Sequence, residues 1–73
     1  MIALDKYRRV ANDLQQHNPD LKVIYNVTVI NVQNIIGDEM LGGIKSFLKY
    51  VYNIDRVLVI KHLDNVYEVR FKI

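Results

Sequence analysis

The chain predicts an α+β fold, a small single compact domain over residues 1–73 with two helices and three strands in the order α-β-α-β-β. Three observations predict it. Two stretches carry apolar residues at helical spacing. Three others are rich in β-branched and aromatic residues. The composition, 51% hydrophobic against 25% charged over 73 residues, is that of a packed domain and excludes a disordered or collagen-like chain. A domain this small buries only about 60% of its unfolded surface, so a second copy or a partner would add to its stability.

The first helix is predicted over residues 3–17, ALDKYRRVANDLQQH. Leu4, Tyr7, Ala11 and Leu14 recur at spacings of three and four with Val10 beside them, which is one apolar stripe. Asn18-Pro19-Asp20 ends it, because Pro19 drives Asn18 out of the helical region and has no N–H to donate. Lys6-Tyr7-Arg8-Arg9 reads as a basic patch along the chain, but helical spacing sets Arg9 four residues from both Asp5 and Asp13. Those are the spacings of a solvated face with paired charges.

The first strand is predicted over residues 21–32, LKVIYNVTVINV, with Leu21, Val23, Tyr25, Val27 and Val29 on one face and Lys22, Ile24, Asn26, Thr28 and Ile30 on the other. The alternation blurs past Val29, which predicts a bend or bulge. The second helix follows over residues 38–52, DEMLGGIKSFLKYVY. Met40, Ile44, Phe47 and Val51 form its stripe, widened by Leu41 and Leu48. Asp38 and Glu39 at its start and Lys45 and Lys49 further on complement the helix dipole. Gly42-Gly43 costs about 2 kcal/mol of propensity relative to two alanines. That predicts either close packing on the sheet or a helix that begins only at Gly43.

The remaining strands come from VLVIKHLDNVYEVRFKI, residues 57–73. A two-residue turn at Asp64-Asn65 pairs Leu58 with Phe71, Ile60 with Val69 and His62 with Tyr67 on the face toward the helices. Val57 then meets Lys72, Val59 meets Arg70 and Lys61 meets Glu68 on the opposite face; a longer loop that includes Leu63 is the other solution. A right-handed crossover places the final strand between the other two, giving an antiparallel sheet with both helices on one face.

Chemistry is sparse along this chain. It has no cysteine, hence no disulfide framework or thiolate metal site, and a cytoplasmic setting is expected. The longest aliphatic run, Val57-Leu58-Val59-Ile60, falls far short of the roughly 20 residues of a membrane span. Met1-Ile2-Ala3-Leu4 reaches Asp5 before a signal sequence's apolar region could form. Asn26-Val27-Thr28 matches a glycosylation acceptor without the secretory context that would give it meaning. The segment from Gly37 to Ser46 places its glycines and Lys45 at the wrong spacing for a phosphate loop. His17 and His62 have no further ligand at local spacing, Ser46 lies on a helix outside any nucleophile elbow, and Asp38-Glu39 fit helix N-terminal charges. The expectation is a protein without catalytic, cofactor or metal residues and without a small-molecule ligand.

Binding is the remaining class. In the expected register the outer sheet face shows Ile24, Asn26, Thr28, Ile30, Val57 and Val59 beside Lys61, Glu68, Arg70 and Lys72, and its four β-branched aliphatics make an apolar patch that calls for a partner. That partner is a second copy of the chain, forming a homodimer, or a larger protein held through the face or an exposed edge strand. A small regulatory or inhibitory protein of a phage or mobile element has this build. The alternative is a nucleic-acid-binding regulator using Lys22, Lys61, Arg70 and Lys72, consistent with a net charge of +2. Sheet-surface readers stack bases on exposed rings, whereas this register turns Tyr25, Tyr67 and Phe71 toward the helices. A slip of one residue would invert that arrangement.

The element order, with FLKYVYNID at residues 47–55 leading into the hairpin and MIALDKYRR at the start, resembles the bacterial cell-division topological specificity factor. The resemblance implies a dimerising α+β domain in which a helix leads into two strands. The chain departs from that pattern in carrying INVQNIIGDE where a basic segment is expected and in its shorter hairpin. No site residue is carried over from it.

Overall fold

The computed structural model of the chain describes residues 2–25 and 29–72, with side chains from Lys6 onward. Among these residues two helices and four strands follow the order α1 (Ile2–His17), β1 (Lys22–Tyr25), β2 (Ile30–Ile36), α2 (Asp38–Tyr52), β3 (Val57–Lys61) and β4 (Val66–Phe71). All strand pairings are antiparallel, in the sheet order β1-β2-β4-β3. The α+β class and both helices agree with expectation. The single long strand does not: it is two strands, β1 and β2, paired through Lys22↔Gln33, Val23↔Val32, Ile24↔Asn31 and Tyr25↔Ile30. A run of twelve residues exceeds the usual strand length of roughly 3–10, and reversing direction lets both halves share one sheet.

Each end of α2 has a local cause. Gly37 precedes it with φ 88° and ψ 157°, a conformation that glycine adopts without steric penalty. At the far end Asn53 adopts the left-handed conformation, and its N–H and that of Ile54 donate to the carbonyls of Lys49 and Leu48, both at 3.0 Å. The helix runs unbroken through Gly42-Gly43, and a Cβ at either position would meet nothing within 4 Å. Neither a late start nor close packing on the sheet accounts for the glycine pair. α1 closes as expected at Asn18, whose N–H reaches the Leu14 carbonyl at 3.0 Å, and Gln15 donates to the Leu21 carbonyl at 3.1 Å to hold the chain as it enters β1.

The core lies between the helices and one face of the sheet. Val10 and Leu14 of α1, Leu48 of α2, Ile30, Val32 and Ile35 of β2 and Val69 of β4 are fully buried. In β2 the register shifts between Val32 and Ile35, so Gln33 and Asn34 together oppose Glu68. Asn34 takes a positive φ of 68° there, a region asparagine tolerates better than most residues. This bulge keeps both Val32 and Ile35 in the core although three positions separate them. Two phenols tie the layers: the Tyr67 hydroxyl donates to Asp38 at the start of α2, and the Tyr52 hydroxyl donates to Asp13 of α1. Burial and the Asp13 bond push the Tyr52 phenol up to about 12, and the Asp38 bond raises that of Tyr67.

The β3–β4 hairpin takes the longer of the two expected loops, which shifts the β3 pairing by one residue from that of the two-residue turn. Leu63, Asp64 and Asn65 form the connection, and the strands pair as Val57↔Phe71, Leu58↔Arg70, Val59↔Val69, Ile60↔Glu68 and Lys61↔Tyr67. Asp64 and Asn65 are both left-handed, φ 63° and 61°, as a tight hairpin turn asks of its central residues. Leu63 adds a third loop residue, and the His62 N–H closes the loop on the Val66 carbonyl at 2.7 Å. The phase of β4 is therefore as expected, while β3 is inverted: Val57 and Val59 pack against the core, and Leu58 and Ile60 face outward.

Candidate interaction surface

With both helices on one side, no described element covers the other side of the sheet. Pairing across the strands gives this face a transverse row of Ile24, Asn31, Arg70 and Leu58. A neighbouring row carries Lys22, Gln33, Glu68 and Ile60, with Gln33 and Asn34 both set against Glu68 at the bulge. The margins are apolar and open: Ile24 is 45% and Leu58 is 60% exposed. Beyond the bulge, Ile36 lies opposite Val66 and is also exposed, and Leu63 projects from the hairpin loop.

The centre is a connected polar seam. Gln33 Nε2 donates to Asn31 Oδ1 at 2.7 Å, and Asn31 Nδ2 donates to Glu68 Oε2 at 2.8 Å. Arg70 Nη2 stands 3.7 Å from the same oxygen and His62 Nε2 stands 3.5 Å from Oε1. Glu68 is buried, and the Asn31 amide, with help from His62 and Arg70, holds its carboxyl below the ordinary 4.5 against the opposing effect of burial. A carboxylate so held is an anchored anion, whereas a general acid at neutral pH needs the opposite shift. Among the described residues no buried side-chain nitrogen or oxygen lacks a hydrogen-bond partner. No group of three His, Cys, Asp or Glu residues among them could hold a metal.

The sequence-expected contact residues divide. Ile24 is on the outer face and exposed, as expected. Asn26 and Thr28 lie outside the described residues. Ile30 is fully buried on the inner face opposite Phe71, because it belongs to β2 and not to the strand that carries Ile24. Val57 and Val59 are on the inner face, turned there by the extra loop residue. Leu58, placed in the core by the two-residue turn, takes their position outside. Asn31 and Gln33 were missed with β2 itself; the excess length of the expected strand was the signal that could have found them.

The basic residues do not form one patch. Lys22 is on the edge strand β1, and Lys61 lies at the far end of β3, opposite Tyr67 and thus on the inner side. Arg70 and Lys72 do come together: with Asp55, Arg56, Val57, Leu58 and Phe71 they line an open groove of about 640 Å³ at the start of β3. Tyr67 and Phe71 are buried, and no aromatic ring among the described residues lies in the outward rows. No helix among the described residues is long and apolar enough to cross a membrane.

Comparison of the chain with protein-family models, with curated proteins and with solved structures finds no match. The resemblance to the topological specificity factor rested on the order α-β-α-β-β, which the additional strand β2 breaks.

Proposed function

We propose that this chain is a small, non-enzymatic interaction protein, cytoplasmic in setting, that joins a second copy of itself or a larger protein through the open face of its sheet and the adjoining free edge. One observation carries the reading: the uncovered face exposes Ile24 and Leu58 on either side of a fixed Asn31–Glu68–Arg70 seam. An apolar margin supplies affinity through burial, and a polar seam with its partners already in place supplies orientation without reorganisation. A regulatory or inhibitory role in a phage or mobile element fits this build.

Sedimentation equilibrium over a wide concentration range tests self-association. A dimer that Leu58→Lys dissociates supports the face; a dimer indifferent to Leu58→Lys and Ile24→Lys overturns it. A second reading, nucleic-acid binding, is favoured by the convergence of Arg56, Arg70 and Lys72 on one groove. It requires affinity for a mixed nucleic-acid pool that falls steeply with salt, and no binding at low salt removes it.

A further inference from the structure

β3 is an outer strand of the sheet, since β4 occupies only one of its sides. Its residues Val57-Leu58-Val59-Ile60 form the most aliphatic run in the chain, its register with β4 is uninterrupted, and it contains neither proline nor bulge. Soluble proteins commonly blunt such an edge with a charge within the strand, a proline or a bulge; here the only charge is Lys61 at the far end. The opposite edge strand, β1, has four residues and begins with Lys22.

The surroundings of that edge are basic on both faces of the sheet. On the helix side, Lys45, Lys49 and the exposed Tyr50 of α2 line an open groove of about 210 Å³ with Ile54, Asp55 and Val57. On the outer side lies the groove of Arg56, Arg70 and Lys72, which Asp55 lines as well. Asp55 stands 3.5 Å from Lys49, and Glu68 3.7 Å from Arg70, which leaves Lys45, Arg56 and Lys72 in excess.

Building on the reading of the chain as an interaction protein, we infer that the free edge of β3 pairs with an acidic, extended segment of a partner protein. The segment adds a fifth strand, and its alternate side chains enter the basic grooves above and below the edge. Backbone pairing gives such a complex its affinity and the flanking pockets its selectivity. Charge argues against a second copy at this edge. Antiparallel pairing of two β3 strands sets the Lys61 end of one against the Arg56 end of the other and brings both α2 lysine pairs to one side of the joint. A nucleic acid would meet the basic groups but has no main chain to match the open row of N–H and C=O groups.

The test uses the full chain and a short capped peptide alternating valine and glutamate, labelled for fluorescence anisotropy. Two controls accompany it: the same peptide with alternate backbone nitrogens methylated, and one with lysine replacing glutamate. The expected result is salt-sensitive binding of the acidic peptide alone, with protection of β3 amides from hydrogen exchange. Binding weakens by about tenfold or more in the exposed-surface variant Lys45→Glu/Lys49→Glu/Arg56→Glu, as the loss of several rim charges should produce. Equal binding of the methylated peptide overturns edge pairing, since charge alone would then suffice. Tighter binding of a mixed-sequence single-stranded oligonucleotide overturns it in favour of nucleic acid. No peptide binding by a chain that sediments as a Leu58-dependent dimer overturns this inference while leaving the proposed function intact.

Discussion

Two rows of residues, one step apart, cross the same four strands. On the inner face the row reads Val23, Val32, Val69, Val59; on the outer face it reads Ile24, Asn31, Arg70, Leu58. The inner row is valine on every strand, with its central pair fully buried beneath two helices. The outer row has a polar centre between apolar margins. Along the inner row volume and shape decide what is tolerated, because a close-packed interior registers each methyl group. Along the outer row the decisive quantity is whether each polar atom keeps its partner. An outer face of valine alone would bury as much area against a partner but would fix no orientation.

Substitutions can break this contrast, and the largest effect belongs to the inner side. Leu48→Ala, beneath the valine row, should lower stability by about 2–5 kcal/mol, read as a fall in the urea midpoint. Next comes a pair of neighbours on one strand. Val59→Lys should destabilise the chain by about 1–3 kcal/mol, whereas Leu58→Lys should change stability by no more than about 0.5 kcal/mol while weakening association. Equal effects from the two would erase the inversion of β3.

The polar seam predicts an acid dependence of smaller size. Because Asn31, foremost, holds the folded Glu68 carboxyl below its ordinary 4.5, its contribution is fully present above that value. It is lost as pH falls from there through the folded value. Asn31→Ala should lower stability by about 1 kcal/mol at neutral pH and flatten the acid dependence; urea titrations across the acid range check both. The smallest change should be a gain. Gly42→Ala, exposed on α2 with open space around its Cβ, should raise the midpoint by up to about 1 kcal/mol.

Local pattern made the helices legible. The apolar stripe and end charges of α2 place it at Asp38–Tyr52, and Pro19 marks the end of α1. The phase of β4 was equally legible, because Tyr67, Val69 and Phe71 alternate with Glu68 and Arg70. What escaped was decided by single residues in connections. Leu63 reads equally as the last residue of a strand or as the first of a longer loop, and with a period of two that one open choice decides the face of the whole of β3. Asn34 shifts β2 by one position, so Ile35 follows Val32 into the core where plain alternation would put Asn34. The candidate surface suffered most, since it is defined by which face each residue takes. Ile24 was placed correctly, whereas Val57 and Val59 stood where Leu58 and Ile60 belong.

The position of β4 has a consequence for how the fold is reached. It is the last of the described strands in chain order, yet it stands inside the sheet, between β2 and β3. Until it inserts, the β1–β2 hairpin and β3 have no hydrogen-bonded contact with one another, and an isolated hairpin is marginal in water. Assembly of the sheet therefore waits on one event that joins residues far apart in sequence, Ile30 with Phe71 among them. Such an event should make folding slower than that of a helical domain of equal length, because non-local contacts come late.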